Sequence, residues 1–303
     1  MEKSIDIRVY LCYNKLIGGK MSDIKISFSK LQTLSNCQYE YKYRYIDKEK
    51  SFGNIYTEIG TLMHTCIEMF LNSSKSKKET IDYFLSMYRD ITSKSYFYDI
   101  NIQKNIDKNK DSVEKHEKYY INYLRNLKRF KNDIEIETYV KLPLSNISNS
   151  DKVDNMYFIG YVDLIVKEKD TTRVVDFKTS TEYSGEKKKI HQNQLILYGI
   201  ALESLGYKNI KLYWDFLKYE KNKGSKTLFY REDKNFTYNG LKEIPFNDET
   251  KNQAILWLLK GIENILKLEI SNKYNDIFSP DNFYCKNLCS FYTQCLDRYG
   301  VYD

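Results

Sequence analysis

Gly160-Tyr-Val-Asp163-Leu-Ile-Val166 and Val174-Val-Asp176-Phe-Lys178-Thr179, separated by the polar stretch Lys167-Glu-Lys-Asp-Thr-Thr172, decide how this chain is read. Both apolar runs are rich in Val and Ile and alternate in side-chain direction, as β-strands do. The stretch between them suits a hairpin turn. A hairpin symmetric about that turn sets Asp163 opposite Asp176, their Cβ atoms within ~5.5 Å. Lys178 projects from the same face as Asp176, because strand side chains alternate with period two. Carboxylate oxygens are the ligands that Mg²⁺ and Mn²⁺ prefer. Phosphodiester hydrolysis draws on such an ion to activate water and neutralise charge on phosphorus. A lysine beside them can stabilise developing charge or orient the attacking water. A solvated surface hairpin with an exposed ion pair would carry the same three residues, so the rest of the chain must decide.

Upstream, Gly60-Thr-Leu-Met-His64-Thr-Cys-Ile-Glu68 reads as a helix with Leu62, Cys66, Met69 and Phe70 on an apolar side. Gly60, His64 and Glu68 share another face at i, i+4 and i+8. A glycine there lets a strand or ligand approach closely. His64 could add an imidazole ligand to the carboxylates, with Glu68 orienting it or holding a second ion. A half-buried, satisfied histidine would look the same. Downstream, Gln192-Asn-Gln194-Leu-Ile-Leu-Tyr198-Gly-Ile-Ala-Leu202 predicts a helix that stops near Gly206. Gln194 and Tyr198 are i, i+4 neighbours, able to bond DNA or position the lysine, or simply a polar stripe on a half-buried helix. Asn209 to Leu217 alternates as a strand of the same sheet.

Six cysteines in 303 residues, with no N-terminal secretory pattern, point to a reducing cytoplasm rather than a disulfide framework. Three cluster as Cys285-Lys-Asn-Leu-Cys289-Ser-Phe-Tyr-Thr-Gln-Cys295. Cys37 lies near the other end, after Ser29 and Gln32, whose capping-box spacing predicts a helix start that leaves Cys37 near its end. Four thiolates from two ends of the chain could close around zinc or an iron–sulfur cluster. Cys12 and Cys66 have no such company and read as free or core thiols.

In order along the chain these motifs are Ser27-x-Ser29-x-Leu31…Cys37 with its tyrosine-rich tail (Tyr39, Tyr41, Tyr43, Tyr45), Gly60-x-x-x-His64, Gly160-x-x-Asp163, Asp176-x-Lys178-Thr179, Gln194-x-x-x-Tyr198 and the cysteine triplet. The chain thereby resembles the RecB-like, iron–sulfur branch of the PD-(D/E)XK nuclease superfamily, from about Ser27 to Cys295. That branch includes AddB-type helicase–nuclease subunits and CRISPR-adaptation nucleases. The resemblance implies a restriction-endonuclease-like α/β core, a mixed central sheet flanked by helices, with a helical elaboration and an iron–sulfur staple joining the N- and C-terminal parts. It implies Mg²⁺ or Mn²⁺ held by His64, Asp163, Asp176 and the backbone carbonyl of Phe177, with catalysis assisted by Lys178, Gln194 and Tyr198. It also implies a [4Fe–4S] cluster on Cys37, Cys285, Cys289 and Cys295, with zinc the alternative occupant. The triplet spacing of three then five residues departs from the branch's commoner two then five, which bears on the cluster type. No catalytic position is lost, which argues against a degenerate, purely structural copy.

Composition agrees with this without proving it. No run of about 18 apolar residues is present, so no membrane helix is expected. The net charge of +7 favours a polyanionic partner. Lysines concentrate between Lys104 and Lys118 and at Lys187-Lys-Lys189, and 29 tyrosines offer surfaces on which bases of a single strand could stack. Residues 1–20 read as an extension of unclear role, and 21–303 as one nuclease domain. Within it, about 55–130 reads as helical, about 134–217 as the catalytic sheet, Lys218 to Pro245 as turn-rich, Asn247 to Ile270 as a helix with Trp257 in its core face, and 280–303 as the cysteine tail. The expected activity is a metal-dependent DNA exonuclease acting on single strands or ends in recombination, repair or phage replication, with a helicase or single-strand annealing protein as partner. The alternatives are a CRISPR-adaptation-type nuclease, a non-catalytic DNA-binding scaffold, and a zinc-stapled interaction module.

Overall fold

The computed structural model describes residues 23–51, 54–93, 116–148, 155–220, 229–230 and 239–300. The extension over 1–20, Cys12 and most of the Lys104–Lys118 concentration lie outside the described residues. β1 (Ile24–Ser27) runs directly into α1 (Phe28–Asn36), where the Ser27 hydroxyl accepts from the Lys30 amide. The sequence pattern puts the cap at Ser29. The backbone stays extended only through Ser27 (φ −103°, ψ 161°), so Ser29 falls inside the first turn and Gln32 is free for another partner. Cys37 ends α1 and caps α2 (Gln38–Tyr41), which continues as a π-helical turn over Lys42–Ile46.

Helices α3 (Ile55–Leu71), α4 (Lys77–Ser93) and α5 (116–126) follow. Then come β2 (Asp133–Pro143), β3 (Met156–Lys167), β4 (Thr172–Lys178), α6 (Gly185–Ser204) and β5 (Ile210–Glu220). The region expected to be turn-rich contributes the edge strands β6 (Phe229–Tyr230) and β7 (Asn239–Ile244). The long helix α7 (Asp248–Ser271) starts on an Asn247–Thr250 capping box, and α8 (Phe283–Asn287) and α9 (Tyr292–Tyr299) carry the late cysteines.

The strands form one mixed sheet in the order β1, β3, β4, β5, β6, with β2 also on β3 and β7 also on β5. Helices cover both faces. Phe158, Val162, Trp214 and Phe216 pack under α1, α6 and α7, whereas Leu164, Val166, Val175 and Leu217 pack under α3, α4 and α5. Coverage on both sides buries β5 almost throughout, Asp215 and Lys218 included. Each large side chain fully buried there contributes on the order of 1.5–3 kcal/mol.

One irregularity of this sheet positions the site. β1 pairs with β3 in parallel over Met156–Ile159, and β4 pairs with it antiparallel over Leu164–Lys167. β2 occupies the whole opposite edge, so β1 and β4 share one edge of β3 and part from each other across Gly160 to Asp163. The Gly-x-x-Asp motif is this fork. Asp163 Oδ2 accepts the Phe177 amide at 2.6 Å, taking up a β4 donor just past the last ladder pair. The Tyr198 ring lies against Gly160, where an added Cβ would be 2.4 Å from its ring edge.

Candidate metal centre

The hairpin register pairs Leu164 with Val175 and Lys167 with Thr172, which, continued, sets Asp163 opposite Asp176. α3 brings His64 over this point. Its Asn54–Thr57 capping box fixes the helix start, and Gly60 lets it approach β4, with room for only a Cβ at 3.4 Å from Thr179 Oγ1. His64 Nε2 is 3.1 Å from the Phe177 carbonyl. A carbonyl can only accept, so Nε2 carries the proton and the Nδ1 lone pair faces the acids. Nδ1 is 3.6 Å from Asp163 Oδ1 and 4.0 Å from Glu137 Oε1. Among the described residues, His64, Glu137 and Asp163 form the one group of three or more such side chains with donor atoms all within 4.8 Å of one another.

Three electron-rich atoms facing one another without a donor between them suit a cation. Burial, then the neighbouring Asp176, pushes the Asp163 carboxyl well above the usual range, and burial lowers His64. Glu137 is pushed up by burial, with Glu68 and Asp176 adding to it. A divalent ion would offset the crowding of the two carboxylates, and the neutral imidazole that burial favours at His64 is the form that binds a metal. Its hard-oxygen and imidazole donor set is acceptable to Mg²⁺ or Mn²⁺.

Glu137 is the residue that sequence reasoning missed. In Ile134-Glu-Ile-Glu-Thr138, both acids alternate with apolar residues and nothing singles one out. The structure does. Glu137 has φ +49°, in the left-handed region, and the strand inverts its faces there. Ile134 and Ile136 belong to the α3–α5 side, Val140 and Leu142 to the α6–α7 side. Apolar residues stay on even positions throughout, because both faces are covered, so the sequence shows no change of phase. Glu68, considered for a second ion, lies outside the donor group, as does Asp176.

Asp176 instead meets Lys178, Oδ2 to Nζ 2.6 Å. Burial would lower the Lys178 ammonium, but Asp176, Tyr183 and Asp163 more than offset it and hold it above its usual value, so it stays charged. Lys178 Nζ donates to Gln194 Oε1 at 3.2 Å, and Gln194 Nε2 donates to the Tyr198 hydroxyl at 3.1 Å. Burial pushes Tyr198 up to about 12. A cleft of about 540 Å³ opens beside Lys178, lined by Ser29, Gln32, Gly160, Tyr161, Gln194 and Tyr198 among others. Gln32, freed from capping, lies 3.2 Å from His191 Nε2. A larger cleft of about 770 Å³ between α1 and α7 has no acidic or imidazole lining.

The fork holds Asp163, a paired Asp176 and Lys178, and a histidine over them. The model of the PD-(D/E)XK nuclease superfamily matches residues 25–296. The chain belongs to the PD-(D/E)XK nuclease superfamily. No curated protein matches it by sequence. Among solved structures, a protein from Eubacterium rectale described as a "putative exonuclease" is similar over 84% of this chain and 85% of that one, at 9% identity and a TM-score of 0.45.

This nuclease-family chain also gathers its cysteines. Cys37, Cys285, Cys289 and Cys295 line one small pocket with Tyr39, Glu40, Tyr284 and Arg298. Burial raises the Cys37, Cys289 and Cys295 thiols, Cys295 to about 12, with neighbouring thiols adding to each. No three of these sulfurs lie within 4.8 Å of one another. Cys66 is a core thiol of α3, pushed to about 12 by burial. Among the described residues no helix is long and apolar enough to cross a membrane.

Proposed function

We propose that this chain is a metal-dependent deoxyribonuclease that hydrolyses phosphodiester bonds from the ends of DNA. The observation that carries the reading is the convergence of His64, Glu137 and Asp163 beside the Asp176–Lys178 pair in the fork of the sheet. In this reading His64, Asp163 and Glu137 hold the ion, with Asp176 and the Phe177 carbonyl at its margin. The ion supplies charge neutralisation on the phosphate and a lowered pKa for water. Lys178, kept charged by Asp176 and aimed by Gln194, stabilises the charge that develops on the phosphoryl oxygens or orients the water that attacks in line. Tyr198 fixes Gln194 through its hydroxyl. Action on ends, and DNA as substrate, are supported by the order of the RecB-like motifs from Ser27 to Cys295.

The same reading assigns the cysteine pocket to a [4Fe–4S] cluster, supported by the meeting of Cys37 with Cys285, Cys289 and Cys295 in one pocket. One nuclease domain then runs from about residue 21, its ends stapled by that cluster. A helicase or an annealing protein fits as partner by resemblance.

The test uses anaerobically purified chain and end-labelled single- and double-stranded DNA with Mn²⁺ or Mg²⁺, beside Lys178→Ala. Metal-dependent release of labelled products, lost in the variant, is expected. Intact DNA in every condition, with the cysteine site verified as loaded, would overturn the nuclease reading.

A further inference from the structure

Beyond the metal centre, the face inversion at Glu137 turns two large aromatics outward. Tyr139 and Tyr161 are a cross-strand pair of β2 and β3, each two residues along its strand from Glu137 and Asp163 respectively. That places them ~7 Å from the acids along the strands. Their rings are 5.3 Å apart, and they are 43% and 57% exposed, although most of the sheet is covered on both faces. Tyr161 also borders the cleft that holds Lys178 and Gln194. The next rows outward are Lys141 beside Ile159, then Tyr157, which pairs in register with the exposed Lys25 of β1. The Lys141 ammonium lies 3.6 Å from the Tyr157 ring centroid and 2.9 Å from Asp23.

From this we infer that the open face of β1, β2 and β3 is a stacking platform for single-stranded DNA, with Tyr139 and Tyr161 carrying bases and Lys141 and Lys25 meeting phosphates. The inference rests on the nuclease reading and adds the substrate class and the direction of approach. Exposed aromatic rings interleaved with lysines suit a single strand, because every base has a stacking face and every nucleotide a charge. A duplex keeps its bases stacked on one another and would gain only the lysine contacts. A strand laid along the two tyrosines is delivered to the fork, since Tyr161 borders both surfaces. A purely structural role for the pair, as a cross-strand contact that steadies β2 on β3, makes a different prediction about bases.

The experiment measures binding, by fluorescence anisotropy, of dye-labelled oligothymidine and of an abasic backbone of equal length, using the full chain carrying Lys178→Ala so that the probe survives. In that parent, the abasic probe is expected to bind at least 5-fold more weakly than oligothymidine. Adding Tyr139→Ala or Tyr161→Ala should weaken oligothymidine binding by roughly 5- to 100-fold. Abasic binding should change less than 2-fold, and the double Phe variant should restore the parent's affinity. Equal binding of both probes by the parent would overturn the platform without needing any variant to fold. So would alanine variants that weaken both probes alike. Cleavage by chains that retain Lys178 separates the two proposals. Active alanine variants with undiminished oligothymidine binding sink the platform alone, whereas absence of cleavage by the unaltered chain sinks the nuclease reading.

Discussion

The acidic centre and the cysteine pocket each gather residues from distant parts of the chain, but they are held by different means. At the acidic centre most groups have a protein partner. Asp163 takes the Phe177 amide, His64 meets the Phe177 carbonyl, Asp176 meets Lys178, and Gln194 spans from Lys178 to Tyr198. These residues stand on strands and helices wedged between two large cores. Around the cysteines the supports are the five-residue α8, the eight-residue α9 and a small cluster of Tyr43, Phe291 and Cys295. Cys37 accepts one long contact from the Glu40 amide, 3.4 Å, and the buried thiols favour their protonated form. The first site takes its geometry from the fold. The second has fewer such supports of its own.

The largest effect expected is on chemistry. Lys178→Ala should lower cleavage by about 10²–10³-fold, and a variant that still cuts at the parent's rate would remove Lys178 from the mechanism. Next comes Cys285→Ser, which should abolish iron binding and cost several kcal/mol of stability locally, read as protease cleavage within 283–299. Wild-type resistance in the iron-free chain would break the contrast drawn above. Glu137→Gln should weaken Mn²⁺ binding by roughly 10–100-fold, measured as a shift in the activating metal concentration. An unmoved midpoint would make Glu137 a bystander.

Gly160→Ala should cost about 1–3 kcal/mol by forcing Tyr198 out of the fork. It should also lower cleavage, since Tyr198 holds Gln194, and an active, unperturbed variant would show that the ring can move. Acid stability tests the fold as a whole rather than the site. Burial holds His191 near about 3 and His116 near about 4, while the unfolded chain protonates them near 6.5. The unfolded state therefore binds more protons below that value, and stability falls as pH drops from about 6.5 toward 3, with little change above 7. Urea midpoints at pH 7.5 and 5 check this, with His191→Phe expected to flatten the slope.

The hairpin, the helix under His64 and the stop at Gly206 were legible because each rests on a local signal: alternation, i to i+4 spacing, a glycine after an apolar helix. The placement of Lys178 on the same face as Asp176 follows from the same alternation. Glu137 was illegible, because its selection depends on a backbone inversion that leaves the apolar phase of β2 unchanged. The cap at Ser27 rather than Ser29 depended on how far β1 stays extended, which is set by its pairing with β3. Tyr139 and Tyr161 could not be picked from 29 tyrosines until the sheet showed which face was left open.

Asp163 both supplies an oxygen to the donor group and fastens the β4 backbone where the sheet divides. A substrate-trapping variant for structural work is therefore poorly made at this position. Asp163→Ala would strip an acceptor from a buried amide, a loss worth about 1–3 kcal/mol, and would loosen the very junction that a trapped complex is meant to reveal. Lys178 and Glu137, which anchor no backbone hydrogen bond in this junction, are the better places to silence the enzyme while keeping its shape.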